Sequence, residues 1–366
     1  MSLARLKTLL ASPRLLHVVM PVLMAYLIAG TVAQKYIGLY DATRIFFSSP
    51  LVWLGPLPLP GLPILLAIIF LNLTFNLLFK SPWSLEKSGV ITIHIGVMLL
   101  LVGGLMTALF SVEGYVTLPP GQIRATMTDY HERDLLVTDD QGQVLYAFAH
   151  DDLKGGESLN LSNLPFSLKI LDACRNCAVE KRTGDSAGFE GMAAAMRLVP
   201  DRPRASDEEN IAGTTVYVEP AGQKYILIED LPKTPEFRAS DGKTYRLALR
   251  RRENPLPFSV TLLDFERDLH PGTQLARAYR SRVRITDGKA QWESDISMNQ
   301  PLRYRGYTLY QSSYLETPNG DVSVLAVVRN AGRAFPYLSG ITVCVGLVLH
   351  LIMRARKNKK TGAANA

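Results

Sequence analysis

Four long apolar segments set the first limit on how this chain can fold. None of them contains Lys, Arg, Asp or Glu, and the segments are residues 15–33, 62–79, 90–110 and 335–353. At about 1.5 Å per helical residue, each can cross most or all of a hydrocarbon core about 30 Å thick. Helices of soluble cores rarely stay uncharged on every side for so long. The pattern predicts four transmembrane helices. The first is interpreted as an uncleaved anchor, because it is long for a signal peptide and no clear cleavage site follows it.

Basic residues flank these segments at one set of ends and predict the orientation. They precede the first segment, occupy the turn between the second and third, and follow the fourth: Arg5, Lys7, Arg14, Lys80, Lys87, Arg354, Arg356, Lys357, Lys359 and Lys360. With four spans these groups lie on one side, which the positive-inside rule makes cytoplasmic. Together with one acid, Glu86, they carry about +9, so the rest of the chain is slightly negative although the formal net charge is +7. The basic balance is therefore a topology signal and gives little support to nucleic-acid binding.

Between the third and fourth segments the composition changes to that of a β-rich domain. Short runs such as KTYRLALR and SRVRITDG alternate apolar and polar residues, the pattern of half-buried strands. Asp-Gly pairs at 241–242 and 287–288 and Asn-Gly at 319–320 are typical of hairpin turns. Residues 201–210 read as a polar loop. We therefore predict an N-terminal membrane part (1–110), an extracytoplasmic all-β domain (111–333), and a C-terminal transmembrane helix with a basic cytoplasmic tail (334–366).

An internal similarity favours a duplication within the β-rich domain. LPFSLKILD at 164–172 and LPFSVTLLD at 256–264 agree at most positions. Two related halves, each opening with the same edge-to-core strand, would produce this similarity. Chance resemblance between two β-strands is the alternative.

Three cysteines occur, two of them in the sequence Cys174-Arg-Asn-Cys177. In an oxidising compartment this pair could form a structural disulfide, and the CxxC spacing fits thiol–disulfide exchange equally well. Because Ala178 follows, the motif is not a CxxCH haem-attachment site. Cys344 lies in the fourth apolar segment and is interpreted as a packing residue.

Three of the six histidines, His17, His94 and His350, lie in apolar segments, each within roughly 10 Å of a predicted cytoplasmic helix end. His17 and His350 could reach the headgroups. His94 lies deeper, and an ionisable residue inside the membrane is by default a candidate functional site. Histidines 131, 150 and 270 fall in the polar domain, where they need no special role.

The glycines around His94 refine its placement. Gly89, Gly96 and Gly103 recur every seven residues and predict a flat face for close helix packing. His94 lies about 200° around the helix from Gly96 and faces away from that surface. An imidazole there could pack through a hydrogen bond, carry a proton, or act as an axial ligand to haem iron.

The segment MNQPLRYRGYTLYQSSY at 298–314 resembles a late-domain motif of the ResB/CcsB family of system II cytochrome c biogenesis. The opening LASPRLLHVVMPVLMAYLIAGT, the third-helix histidine, the large domain between helices three and four, and the basic tail fit the same family. This chain has no tryptophan-rich haem-binding segment, because Trp53, Trp83 and Trp292 are scattered. That segment belongs to the partner protein.

The resemblance implies a subunit of a complex that moves haem b across the bacterial inner membrane. With a CcsA/ResC-type partner, such a subunit supports haem attachment to the CxxCH thiols of apocytochrome c. Carried over to this sequence, His94 is one axial haem ligand in the membrane, and a histidine of the partner is the other. His350 is a second candidate for haem binding. The chain would be a non-catalytic or half-site component of the haem lyase complex, so no catalytic residue is assigned.

Two other functions remain open at this stage. The chain could be a membrane-anchored thiol–disulfide oxidoreductase that acts through Cys174 and Cys177. It could also be a non-catalytic scaffold for cytochrome assembly, with the β-rich domain as its docking module.

Overall fold

The computed structural model describes residues 3–273, 276–318 and 320–364. Seven α-helices occur within these residues: α1 (Leu3–Leu10), α2 (Pro13–Ile37), α3 (Leu39–Ala42), α4 (Leu62–Phe79), α5 (Ser88–Phe110), α6 (Met192–Ala195) and α7 (Phe335–Ala364). A π-helical turn at Thr43–Ser48 and short 3₁₀ turns at Leu85–Lys87, His150–Asp152 and Asp207–Glu209 complete the helical structure of these residues.

Four helical stretches in the described part of the chain are long and apolar enough to cross a membrane: Pro13–Ile37, Leu62–Phe79, Leu85–Phe110 and Phe335–Lys357. Their order, three before the β-rich domain and one after it, confirms the predicted fold class. The local sequence explains where α4 begins. Helix α4 starts after Gly61 with a proline in its first turn, where the missing N–H costs nothing.

Helix α7 continues well past residue 353, where the apolar segment ends. Residues 354–361 contain neither glycine nor proline, and Arg, Lys and Ala favour helix in that stretch. The basic residues after the fourth apolar segment therefore extend a helix instead of forming a separate tail.

Eighteen strands are present among the described residues: β1 (Leu51–Leu54), β2 (Leu57–Pro60), β3 (Val112–Leu118), β4 (Ile123–Thr138), β5 (Val144–Ala149), β6 (Ser158–Leu159), β7 (Ser167–Cys174), β8 (Cys177–Lys181), β9 (Met196–Pro200), β10 (Gly213–Glu219), β11 (Gln223–Ile228), β12 (Glu236–Arg238), β13 (Thr244–Leu269), β14 (Ala276–Asp287), β15 (Ala290–Ser297), β16 (Leu302–Tyr304), β17 (Tyr307–Leu315) and β18 (Val322–Arg329).

The strands form one large sheet and three smaller ones. The ten-stranded sheet runs β15-β14-β13-β4-β3-β18-β17-β16, with β12 paired to β13 and β5 to β4. A four-stranded sheet has the order β11-β10-β7-β6, and β1-β2 and β8-β9 are two-stranded. Buried side chains of β7, β10 and β11 pack with those of β4, β12 and β13 in one apolar core. This packing of two sheets makes the domain a β-sandwich at that end.

The chain divides into two compact units. One contains residues 1–35, 41–112 and 328–366, which include the four long apolar helices. The other contains residues 113–327 together with the short segment 36–40. The segment 36–40 joins the second unit through local contacts, including a hydrogen bond from the Leu39 N–H to the Ala205 carbonyl at 3.3 Å.

The two LPFS segments do not occupy equivalent positions, contrary to the expectation that each opens a related half. The first leads into β7 of the four-stranded sheet, whereas the second lies inside the 26-residue strand β13. Their similarity has a local cause. Phe166, Leu168 and Ile170 are buried on alternate positions, as are Phe258, Val260 and Leu262. Both segments therefore meet the same alternating burial requirement.

The predicted turns lie where strands reverse. Gly242 and Gly288 adopt positive φ angles of 79° and 60°, which glycine accepts without strain. They connect β12 to β13 and β14 to β15, and both strand pairs are antiparallel. Of the third predicted turn, Asn319 lies outside the described residues.

Candidate functional site

His94 lies in α5 and is half-buried. Its Nδ1 lies 2.8 Å from the carbonyl oxygen of Val90, one helical turn earlier. A carbonyl oxygen can only accept, so Nδ1 carries the proton and donates. The other ring nitrogen, Nε2, then holds an unshared electron pair in the neutral imidazole. This is the arrangement that metal-binding histidines use, because the Nδ1 hydrogen bond fixes both tautomer and ring orientation.

The glycine face of α5 packs against α7, which confirms the predicted packing surface. A Cβ added at Gly89 would clash with the backbone of His350, and one at Gly96 would meet Val343. A Cβ at Gly103 would clash with the Phe335 ring. Only glycine allows the two helices to come this close at these positions.

His94 faces another group of helices. It shares a helix face with Leu101, seven residues later, because seven residues complete nearly two turns. Leu101 packs against a buried cluster formed by Val19, Tyr26, Leu65 and Ile69 of α2 and α4. The geometry of α5 therefore turns His94 away from α7 and toward the side of α2 and α4.

His17 makes the same local bond as His94 but is exposed. Its Nδ1 donates to the Pro13 carbonyl oxygen at 2.9 Å. The two histidines thus present the same tautomer from different helices.

His350 lines a basic cavity at one end of α5 and α7. The cavity has a volume of about 550 Å³ and its lining includes Lys87, Arg354, Arg356 and Lys357, together with one acid, Glu86. A site of this composition favours anionic groups such as carboxylates or phosphates. The structure does not bring His350 and His94 together at this cavity, because His94 is not among its lining residues.

Cys174 and Cys177 are joined by a disulfide, with their Cα atoms 5.6 Å apart. Each cysteine is only 8% exposed, and they pack with Ala193, Leu198 and Ile226 in a small apolar cluster. Catalytic thiol pairs are normally accessible and lie in electropositive surroundings. Burial in an apolar cluster is therefore the setting of a structural disulfide.

The two residues inside this disulfide loop anchor a polar network. The Arg175 guanidinium donates to both carboxylate oxygens of Asp151 and to Asp207, the latter at 3.0 Å from Nε. The Asn176 side chain donates to the Arg202 carbonyl at 2.6 Å and accepts from the Ile211 N–H. The disulfide loop thereby holds the 201–210 loop in place.

Asp207 is the centre of this network and was missed by sequence reasoning, which read 201–210 only as a polar loop. Its carboxylate accepts hydrogen bonds from His131 at 2.9 Å, Arg133 at 3.1 Å and Asn210 at 3.0 Å. Burial alone would raise the pKa of Asp207, but hydrogen bonds from His131, Arg175 and Asn210 outweigh burial and hold that pKa well below its usual range.

Two of the three histidines set aside in the polar domain have defined structural partners. His131 bonds Asp207, and its ring lies 4.5 Å from that of Tyr40. His150 is 3% exposed, and its Nε2 donates to the Gly213 carbonyl at 3.1 Å. Burial lowers the pKa of His150. His270 is exposed in the turn after β13.

Asn72 is a second polar residue that the hydropathy pattern concealed. It lies within α4 and is fully buried, and its side-chain amide donates to the carbonyl oxygens of Leu10 and Ser12. These bonds hold the connection between α1 and α2 against α4.

Comparison with known proteins identifies part of the β-rich domain. Residues 236–323 match the model of the ResB-like family. Protein NrfI of Wolinella succinogenes is 34% identical to this chain over 108 residues, which are 29% of this chain and 12% of that protein. The chain therefore covers only a small part of that relative's length. The family match includes the whole 298–314 motif and both of its strands, β16 and β17, and confirms the resemblance to ResB-like proteins.

Proposed function

We propose that this protein of the ResB/CcsB family takes part in cytochrome c biogenesis as a haem-delivery subunit. In this proposal haem b is the cargo and His94 is one of its axial ligands in the membrane. A CcsA/ResC-type protein supplies the second axial imidazole, and apocytochrome c receives the haem. The chain termini are cytoplasmic and the β-rich domain is extracytoplasmic, as the basic flanks of the apolar helices indicate.

The observation that carries the proposal is the Nδ1 hydrogen bond of His94. Donation to Val90 leaves Nε2 with its electron pair on a helix face turned away from α7. Because the bond orients the ring, little conformational freedom of the side chain is lost when the nitrogen binds a metal. A nitrogen lone pair inside an apolar segment needs a partner, and a metal ion is one that an imidazole can bind there.

A single protein nitrogen is enough to bind haem iron. The porphyrin provides four equatorial nitrogens, so the protein needs to supply only axial ligands. Within the described residues, no group of three or more His, Cys, Asp or Glu side chains is placed to hold a metal ion. A lone imidazole such as His94 fits the axial role. Two axial imidazoles would saturate the iron and limit its reaction with oxygen during transit.

The basic cavity beside His350 supports the same proposal. Haem carries two propionates, and Lys87, Arg354 and Arg356 offer cationic partners for such carboxylates. In this proposal the cavity receives haem from the cytoplasmic leaflet and His350 contacts it there. His94 lies about 10 Å further along α5 from Lys87, by helical rise.

The proposal is tested by co-expressing the chain with its haem-handling partner and recording the Soret absorption of the purified complex. Replacing His94 by alanine removes the ligand, so haem occupancy is expected to fall by at least about tenfold. Added imidazole should restore part of the occupancy, because it can enter the space that the side chain vacated. Maturation of cytochrome c in the same cells, measured by haem staining, should fall in parallel.

His17→Ala is the matched control, because His17 makes the same backbone hydrogen bond from another helix. It should keep its haem. Wild-type occupancy in the His94→Ala complex would exclude the ligand assignment. Normal cytochrome maturation by that variant, with the β-rich domain intact, would favour a scaffold instead. Loss of maturation only in a Cys174→Ser/Cys177→Ser variant would favour thiol exchange.

A further inference from the structure

A separate polar cavity opens in the β-rich domain. Its volume is about 370 Å³, in the lower part of the range of small-ligand pockets. The side chains that matter for its chemistry are Tyr115, Tyr130, Glu208, Asp230, Ser312 and Ser313. None of them belongs to the haem site proposed above.

Two tyrosines form one wall of the cavity. Tyr115 of β3 and Tyr130 of β4 lie on neighbouring antiparallel strands, with ring centroids 5.3 Å apart and ring planes inclined by 40°. Among the described residues, neither hydroxyl has a hydrogen-bond partner. Burial raises the pKa of both phenols, which keeps them neutral. The wall therefore offers aromatic faces and two unused hydroxyl groups.

The Arg251 guanidinium, which also lines the cavity, already has hydrogen-bond partners. The Arg251 Nε donates to a Glu229 carboxylate oxygen at 2.5 Å, and its two terminal nitrogens donate to the carbonyl oxygens of Tyr130 and Glu208. The carboxylates of Glu208 and Asp230, by contrast, form no ion pair with any described residue. Burial and the neighbouring charge of Glu229 raise the pKa of Asp230, and they outweigh the charges of Arg251, Arg250 and Arg133, which lower it.

A buried hydrogen-bond network lies next to the two serines that line the cavity. Gln311 accepts from the Ser281 hydroxyl at 2.6 Å and donates to the Ser323 hydroxyl and the Ser313 carbonyl, each at 3.2 Å. Gln311, Ser281 and Ser323 are buried. The bond to the Ser313 carbonyl holds the backbone of β17 where the exposed residues Ser312 and Ser313 line the cavity, within the 298–314 motif.

We propose that this cavity binds a lysine or arginine side chain of a polypeptide partner. The two carboxylates supply the charge, and the tyrosine faces receive the alkyl stem and attract the cationic head. The Ser312 and Ser313 hydroxyls accept hydrogen bonds from it. The cavity is open on one side and has room for a side chain, so the partner's backbone stays outside, beside the exposed residues Ser312 and Ser313 of β17.

This proposal does not depend on the haem assignment, and its test contains no haem. Saturation-transfer NMR is recorded on the full chain in detergent with the peptide acetyl-Gly-Gly-Lys-Gly-Gly-amide. The same peptide with Nε-acetylated lysine is the neutral probe, and n-butylamine is the free-amine probe. The lysine peptide should bind more tightly than both, and its affinity should fall as salt is raised.

Variants locate the binding. Asp230 has a positive φ of 54°, a conformation that asparagine tolerates, so Asp230→Asn keeps the backbone. Asp230→Asn and Glu208→Gln should each weaken the lysine peptide about fivefold, and Tyr115→Leu about threefold. Asp268 is an exposed carboxylate on β13 that does not line the cavity, so Asp268→Asn should leave binding unchanged.

Several results would overturn the proposal. These are equal binding of the acetylated and free lysine peptides, equal binding of butylamine and peptide, or loss of affinity in Asp268→Asn as large as that in Asp230→Asn. Each variant's thermal unfolding is compared with wild type. If one variant fails to fold, the other two decide the outcome.

Discussion

Ser339 of α7 donates a hydrogen bond to the Gly96 carbonyl oxygen of α5 at 2.8 Å, and Ser339 is only 4% exposed. A side-chain hydroxyl can reach the backbone of a neighbouring helix only where the two axes approach closely. The absence of a side chain at Gly96 permits that approach. The bond and the glycine face together define how α5 is held while it presents His94 on its other side.

The first prediction concerns this contact. In Gly96→Ala the added methyl group would meet the Val343 side chain and crowd the Ser339 carbonyl, so the helices must separate. We expect a loss of about 1–3 kcal/mol, the usual cost of overpacking. Gly104→Ala is the control, because a Cβ there has nothing within 4 Å. Thermal unfolding in detergent measures both, and equal stability of the two variants would contradict the close contact.

The helical part of the fold could be predicted from sequence because its signal is local. An uncharged apolar run has no other stable environment, and a seven-residue glycine repeat marks a face without reference to any partner. The His94–Val90 bond is equally local, since it joins residues one turn apart. The helix that covers the glycine face could not be identified in this way, because α7 is more than 200 residues away in sequence.

The polar network around Asp207 was hidden for a related reason. Arg133 and Asp207 lie 74 residues apart, and each looks like an ordinary surface charge in its own segment. Burial of a charge is favourable only when tertiary structure brings in its partners. The same reasoning explains the LPFS similarity, where alternation predicted strands correctly but could not say which sheet each strand joins.

The second prediction concerns the disulfide. Cys174→Ser/Cys177→Ser should lower the free energy of unfolding by about 2 kcal/mol, as expected for closing so short a loop. Cytochrome maturation at low temperature should persist, because the buried sulfur atoms are structural. Cys344→Ser serves as the control and should change neither property, since Cys344 is a free, exposed cysteine. Rapid alkylation of Cys174 and Cys177 in the folded, mildly reduced protein would instead indicate a reactive pair.

The third prediction tests the buried carboxylate. Asp207→Asn leaves Arg133 and Arg175 without their shared counter-charge, so we expect a loss of about 3–5 kcal/mol at pH 7. The folded-state pKa of Asp207 lies below its unfolded value of about 3.9, so its stabilisation is complete well above that value. It is lost as the pH falls below about 4. The difference between wild type and variant should therefore shrink in acid.

Asp201→Asn is the comparison for this prediction. Asp201 lies in the same loop but pairs with Arg204 across 3.9 Å at the surface. Its replacement should cost less than about 1 kcal/mol. Denaturant unfolding across pH 3 to 7 measures both variants, and a pH-independent effect of Asp207→Asn would contradict the lowered pKa.

The fourth prediction concerns His150. Burial lowers its pKa in the folded state, so between that value and the unfolded value of about 6.5 the unfolded chain binds more protons. Stability should rise with pH through this window by at most about 1.4 kcal/mol per pH unit, and below the folded-state pKa this group adds no further change. The physical cause is the enclosed ring: Nε2 donates to Gly213, while the buried Nδ1 has no described partner to stabilise an added proton. His150→Phe should remove this dependence below about pH 6.5, whereas His270→Gln, at an exposed turn, should retain it. If both variants keep the wild-type slope in urea unfolding, the pH dependence has another source, and His150 is not the group that sets it.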